Sequence, residues 1–484
     1  MRIALRSIVV AVVAAAFLVQ ASMASARSSA QYRLEGRGWG HGLGMSQYGA
    51  QGYAEHGMAY DAIIRHYYTG TVVAKRPSDG INDIRVLLQS YLAPARIELE
   101  SAGLVSQGGV SKPLLAGDVV EMRAAGGFIV TTIVRGTTRT IVTAASSADP
   151  VIVPEVDGAM QALFADDNDV TGRHYRGTIS AHIYNGKISI VNTVPFEQYL
   201  RGVVPYESPS SWNIEALKAQ AVAARSYALT SGSSSLGFFD VYCDTRSQVY
   251  GGLDREAAST DLAVSATNGL VARVGSATGD VARTYFFSTS GGRTASNEQV
   301  WGGSPISYLR SVASPYEAWS SHYIWTGSRL HIYTPAKLGE ALGYAPGVFR
   351  SASSTSYGSG YAKEARVVTT NGVETFDGDH FRGKLGLDSS WFRVAYLSAV
   401  GPDSVTPGAY AKLTGRAPLA GTTSVILRSG GMSRTIKLKP TGPLGTWVVR
   451  VRVHTDLTAI LTRANVTGPR ITVRAAAPAP VTET

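Results

Sequence analysis

Between Ile179 and Leu229 the apolar residues change their spacing, and that change limits the folds open to this chain. Ile179, Ala181 and Ile183 alternate with polar residues, Asn185-Gly186 follows, and Ile188 and Ile190 resume the alternation. Asn-Gly supplies the positive φ angles of a tight two-residue turn, so a β-hairpin is predicted. After a connection through Pro195, Ile214, Leu217, Ala221, Ala224 and Ala228 fall on one face at helical spacing. They predict a helix from about Asn213 to Leu229, capped by Ser211 or Asn213. Strands and helices mix without the strict βαβ alternation of a doubly wound sheet, so the fold class is α+β.

A chain of 484 residues exceeds one ordinary core, and its composition divides it into several stretches. Residues 1–26 read as a secretory signal peptide. Arg2 and Arg6 precede an apolar run from Ile8 to Val19, and Ala24-Ser25-Ala26 is a small-residue cleavage site. That run is short for a membrane span and no second one follows, so the mature chain is expected to be secreted or held in the cell wall, free of the membrane. Residues 27–72 are a Gly-rich loop leading into a helical segment. Residues 81–168 form a β-rich accessory segment that opens with the strand-like run Ile84-Arg85-Val86-Leu87-Leu88. Residues 170–396 carry the densest polar and aromatic patterns. In 403–476, runs such as Thr423–Leu427, Thr435–Leu438, Trp447–Val453 and Ile471–Val473 are rich in β-branched residues and divided by Gly/Pro turns. About seven short strands there predict a small all-β, Ig-like sandwich.

The formal net charge of +10 is unevenly placed: residues 401–484 hold eleven Lys/Arg against three Asp/Glu, and the body before them is close to neutral. On an exported protein, a basic tail suits an anionic surface such as the wall, and export argues against nucleic acid. Cys243 is the only cysteine, which excludes an internal disulfide.

Glu207 stands between Pro205 and Pro209, just ahead of the predicted helix. Proline fixes φ and biases the residue before it toward extended backbone, so Glu207 is expected on a stiff loop, as a positioned general acid requires. Lys218 and Arg225 share one flank of the helix and are expected to face the same groove. Their charges would lower the pKa of Glu207, whereas burial against Tyr206 and Trp212 would raise it. Taken alone, a glutamate in such a loop is more often a helix cap or a surface ion pair. No G-x-S-x-G elbow is present to support a serine hydrolase.

The run FEQYLRGVVPYESPSSWNIEALKAQAVAARSYAL, residues 196–229, resembles the central pattern of the SpoIID/LytB family, with Ser208 where the family usually carries Met. In the sporulation members, the glutamate that matches Glu207 is the acid/base of a lytic transglycosylase that cuts glycan strands lacking stem peptides. The resemblance implies that Glu207 protonates the leaving oxygen and then deprotonates the sugar's own C6 hydroxyl. One carboxylate then does what ordinary glycosidases divide between two, and Glu197, Glu215, Asp244 and Glu298 are read as structural.

Three further segments carry the resemblance. YCDTRSQVYGG, residues 242–252, is similar to the family's "CDTTxxQVYxG" element and brings in Gln248. Some members bind zinc there, but Cys243 alone, with Ser247 in place of the usual second cysteine, makes a poor zinc site. No metal and no cofactor are expected, and Cys243 is read as buried. TYFFSTSGGRTASNEQVWGG, residues 284–303, resembles a strand and loop that would offer Ser288, Ser290 and Thr294 to a sugar, with Trp301 read as core. GRGWGHGLGMSQYGAQGYAEHGMAYDAIIRHYYTGT, residues 36–71, resembles the family's glycine signature and matches neither a phosphate loop nor a Rossmann fingerprint. In the sporulation enzymes it follows the catalytic region, whereas here it precedes it. A chain permuted in this way would place it in the same spot, with His41 and Gln47 lining the groove. FRGKLGLDSSWFRV, residues 381–394, matches the family's closing element. The resemblance implies action on peptidoglycan glycan strands, with a wall amidase and anionic wall polymers as further partners. Other relatives are read as non-catalytic enhancers of an N-acetylmuramoyl-L-alanine amidase, and that alternative stays open.

Overall fold

The computed structural model describes residues 26–77, 82–91, 94–164, 167, 171–232, 234–418, 421–442, 445–463 and 466–476. The expected signal peptide, apart from Ala26, lies outside the described residues. The described residues form two compact units: one holds those up to Arg37 together with those from Ile324 onward, and the other those from Gly38 to Tyr323.

The chain enters the first unit as strand β1 (Ala26–Gly36) and then crosses into the second. There Gly38, Gly40, Gly42 and Gly44 all have positive φ, a conformation that only glycine adopts without strain. This winding segment runs beside the Ser/Thr-rich one: Trp39 bridges Thr289, Leu43 bridges Ala295, and Met45–Ser46 pairs in parallel with Phe286–Phe287. At Gly44 (φ +79°) a Cβ would lie 2.0 Å from the Tyr285 carbonyl oxygen. Ser46 then caps helix α1 (Gln47–Glu55) by accepting from the Gly49 amide, and α2 (Tyr60–Tyr67) follows.

Strand β2 (Asp83–Tyr91) joins a seven-stranded sheet with β3 (Thr178–Tyr184) and β4 (Lys187–Pro195). The hairpin read from Asn185-Gly186 is present, with β3 and β4 in register from Thr178↔Thr193 to Tyr184↔Lys187 and Asn185 at φ 50°. The β-rich stretch read as 81–168 is part of the same sheet, because β2 pairs with β4 and Val151–Pro154 pairs with β3. The two compact units change over at Arg37/Gly38 and at Tyr323/Ile324; strands from both sides of the expected boundary near 168 share one sheet, and residue 396 lies within the strand Phe392–Pro402. A five-stranded sheet closes the same core, where Ile97, Val120 and Met122 meet Ile179, Ile190 and Leu200.

Helices α3 (Phe196–Glu207) and α4 (Ile214–Ser231) follow β4. Glu207 is the last helical residue of α3, which corrects the expected loop. Pro205 is tolerated inside the final turn, and Pro209 acts one residue later, holding Ser208 at φ −138°, ψ 134° and stopping the helix there. Asn213, and not Ser211, caps α4, its side chain accepting from the Glu215 amide at 2.9 Å. The single apolar face expected of α4 understates its burial. Ala221, Ala224 and Ala228 join the core of the two sheets, while Ala216, Ala219, Val222 and Ala223 join a second cluster with Ala50, Ile63, Ile64 and Tyr67. A helix apolar on both sides is one enclosed by its neighbours.

In the other unit, β1 pairs antiparallel with β5 (Phe392–Pro402) from Ala26↔Pro402 to Gly36↔Phe392. A three-stranded sheet and Phe381, Leu387 and Trp325 pack around Leu34 and Phe392. Among the described residues, seven strands run from Ser404 to Ala475. Tyr410–Arg416 and Thr446–Arg452 extend the β1–β5 sheet, and Leu413 and Trp447 on it share a core with Val425, Leu461 and Val473 of a second sheet. Both units mix helices and sheets, in keeping with α+β. No helix among the described residues is long and apolar enough to cross a membrane.

Replacing Gly44 by Ala forces a side chain into a left-handed position against backbone, a strain of about 1–3 kcal/mol. Thermal melting should show the loss, and an unchanged melting temperature would contradict the packing of this segment.

Candidate active site

Three chain segments converge on Glu207. Its Oε1 accepts from the Val249 backbone amide at 2.9 Å and its Oε2 from Gln47 Nε2 at 3.2 Å. The glycine signature thus meets the central glutamate across 160 residues of sequence. Val249 is held in place through Gln248, which is buried between two helices: its Oε1 accepts from the Tyr199 hydroxyl of α3 at 3.0 Å and its Nε2 donates to the Ala224 carbonyl of α4 at 3.3 Å. Glu207 keeps part of its surface open to solvent. Burial nevertheless pushes its pKa up, and the hydrogen bonds from Val249 and Gln47, which favour the charged form, do not overcome it.

Among the described residues no cation acts on this carboxylate, so the two charges expected beside it are corrected. Arg225 is fully buried and donates to Glu197 at 2.8 and 2.6 Å and to the Leu270 carbonyl at 3.0 Å. Lys218 donates to Glu215 at 2.7 Å and lies over the Tyr60 ring. Arg225 meets a carboxylate at the start of α3, and Lys218 meets one on the first turn of α4 itself, three residues earlier. Glu197 and Glu215 are thereby paired, as are Asp244 with Arg246 and Glu298 with Arg310.

The hydroxyls assigned to a sugar are mostly turned inward. Thr294 is buried and its Oγ1 accepts from the Val312 amide at 2.9 Å. Ser290 is buried and donates to Glu317. Ser288 is half-buried, with its hydroxyl against that of Thr289 and its carbonyl accepting from the Tyr48 amide at 3.0 Å. His41 accepts from the Leu43 amide at 3.0 Å and packs near Phe287 and Trp301. Trp301, read as core, is 49% exposed.

Two features escaped the sequence reading. Glu317 is fully buried and accepts from the hydroxyls of Ser46 and Ser290 and from the amides of Ser290 (3.1 Å) and Gly292 (2.7 Å). It ties the cap of α1, and so the neighbouring Gln47, to the Ser/Thr-rich loop. Its local sequence, Ser-Pro-Tyr-Glu, reads as a surface turn and offers no signal of this. The second is an aromatic group: the ring of Tyr48, next to Gln47, lies 5.1 Å from Trp212 and 4.7 Å from Trp319, which is 54% exposed.

Chemically, a carboxyl with a raised pKa holds its proton to a higher pH than an ordinary glutamate and can give it up and take it back, and exposed ring faces can hold a sugar. Zinc does not fit: Cys243 is buried with its thiol on the Leu88 carbonyl (3.2 Å), and Ser247 accepts from the Tyr242 amide (3.1 Å).

Residues 184–273, which include Glu207 and all of α3 and α4, match the family model described as SpoIID, Stage II sporulation protein. The chain is 38% identical over 150 residues to an uncharacterized protein of Brachyspira hyodysenteriae, covering 30% of this chain and 39% of that one. It is 31% identical over 230 residues to Stage II sporulation protein D of Bacillus subtilis, covering 44% and 64%. To the Amidase enhancer of Bacillus subtilis it is 38% identical over 124 residues, covering 25% and 16%. The chain thus spans less than two thirds of the length of each of these relatives.

Burial raises the folded-state pKa of Glu207 above its unfolded value of about 4.3. The stability associated with its neutral form is fully present below that value and is lost as pH rises through the folded pKa. Glu207→Gln removes the buried charge and keeps an acceptor for Val249. The variant should melt at or above the wild-type temperature at about pH 8, with the difference closing toward about pH 4; a variant less stable at the higher pH would contradict the burial. Separately, Glu317→Ala strands buried amide donors at a cost of about 1–3 kcal/mol each. Urea unfolding should report that loss, and a stability equal to wild type would show that the network does not hold the site.

Proposed function

We propose that this chain, a member of the SpoIID/LytB family, is an exported protein that cleaves peptidoglycan glycan strands as a lytic transglycosylase, with Glu207 as general acid and base. The carrying observation is the setting of that side chain: a partly open carboxyl, raised in pKa by burial, and gripped by Gln47 and Val249 with no cation to hold it ionised. The names of the two Bacillus subtilis relatives support a role in the wall.

In the proposed reaction Glu207 gives its proton to the glycosidic oxygen as the C1–O bond breaks. The C6 hydroxyl of the same sugar then attacks C1 and returns a proton to Glu207, closing a 1,6-anhydro ring without consuming water. The donors at Val249 and Gln47 stabilise the carboxylate between the two transfers. Tyr48, Trp212 and the exposed Trp319 offer ring faces for a neighbouring sugar. The paired Glu197, Glu215, Asp244 and Glu298 leave the reaction with one acid, which suits an internal nucleophile better than hydrolysis by two carboxylates.

A second reading, a peptidoglycan-binding enhancer of a wall amidase, is supported by the likeness to the Amidase enhancer. Purified protein incubated with glycan strands stripped of stem peptides separates the two. Mass spectrometry should find anhydro-ended fragments from the wild type and about 10²–10⁴-fold less from Glu207→Gln, the usual contribution of a general acid/base. No fragments from the wild type, together with equal stimulation of an amidase by both proteins, would move the assignment to the second reading.

A further inference from the structure

The unit built on β1 and β5 contains a cavity of about 560 Å³ that the reading of Glu207 does not use. Four arginines line it, Arg33, Arg37, Arg393 and Arg463, against the single carboxylate of Glu35. Arg33 and Arg463 are only 1% and 3% exposed. Glu35 is already committed, accepting from Arg463 at 3.1 Å and from Arg393 at 2.8 Å. Burial would raise its pKa, but these two guanidinium groups hold it below the usual carboxylate range.

Arg33 donates one bond to the Arg463 carbonyl at 2.7 Å, and its Nε finds no acceptor. Its pKa is lowered, first by burial and then by the charge of Arg463, with Glu35 acting in the opposite sense. Burying charge without a counter-ion is costly, so two buried guanidinium groups sharing one carboxylate leave a positive excess that an anion would cancel. A guanidinium fork matches the oxygens of a carboxylate or phosphate.

The walls are aromatic. Trp325 and Trp391 line the cavity, and the Arg37 guanidinium lies 5.2 Å from the Trp391 ring centre. Gly36 packs its backbone closely against the Trp325 ring, where a Cβ would fall 2.3 Å away, and Trp325 itself is only 3% exposed. Flat indoles beside guanidinium groups suit a ring or a polyol chain bearing a charge better than a bare ion, and the volume lies within the range of about 300–1,000 Å³ of small-ligand sites. The basic stretch 401–484, eleven Lys/Arg against three Asp/Glu, favours the approach of an anionic polymer.

We propose that this cavity binds an anionic sugar or polyol unit, its phosphate or carboxylate taken by the arginine cluster and its body packed on the tryptophans. The site belongs to the unit that lacks Glu207 and stands whether or not the transglycosylase reading does.

Isothermal titration calorimetry of the full chain tests it with three probes: a glycerol phosphate oligomer, N-acetylmuramic acid and neutral N-acetylglucosamine. Saturable binding is expected for at least one of the two anions and not for the neutral sugar. Arg37→Ala and Arg393→Ala should each weaken it about tenfold, the effect of losing a charge-assisted contact. Both variants should melt like wild type, and Glu207→Gln should bind unchanged. Preference for the oligomer assigns the ligand to a phosphodiester polymer, and preference for the acid sugar assigns it to a muramyl carboxylate. Binding of neither anion, equal binding of the neutral sugar, or affinity untouched by both arginine variants would overturn the proposal.

Discussion

Small residues on both sides of α4 let two apolar cores close on one helix. Ala221, Ala224 and Ala228 face the sheets, and Ala216, Ala219 and Ala223 face the helices that follow the glycine signature. At close-packed density even one added methylene is felt, so this helix sets the separation of everything that leans on it. Helices α1 and α2 pack on one side and α3 packs alongside. The first turn of α1 and the last turn of α3 are thereby brought within hydrogen-bonding distance, and Gln47 reaches Glu207.

That meeting point works by a balance of opposed effects. Removing a carboxylate from water favours its neutral form, whereas each donor aimed at it favours the charged one. Glu207 has two donors and no cation, and burial wins. Glu317, also buried in the same unit, has four donors and serves as a tie between the α1 cap and the Ser290 loop. The first keeps a raised pKa, and the second holds the first's partner in position.

Much of this was legible because it is local. The Asn185-Gly186 hairpin, the α4 helix with its Asn213 cap, and the strand-rich stretch after 403 follow from period and turn chemistry, which neighbouring residues decide. Two prolines around Glu207 suggest a loop, but α3 carries Pro205 inside its final turn and stops only at Ser208, the residue before Pro209. The partners of Lys218 and Arg225 differ in kind. Glu215 lies three residues before Lys218 on the same helix, a spacing that sequence shows directly, whereas the meeting of Arg225 with Glu197 depends on how α3 packs on α4. Glu317 and the pairing of β1 with β5 lie beyond local pattern altogether, since their partners are remote in sequence.

The central claim concerns the proton on one side chain, and its titration can be watched directly. Carbon-13 NMR of the side-chain carboxyl of Glu207, assigned by comparison with Glu207→Gln, gives its midpoint in the folded protein. That midpoint is expected above the ordinary glutamate value of about 4.3, and higher still in Gln47→Met, where a donor to the charged form is gone. A midpoint at or below the ordinary value, unmoved by the loss of Gln47, would contradict that claim.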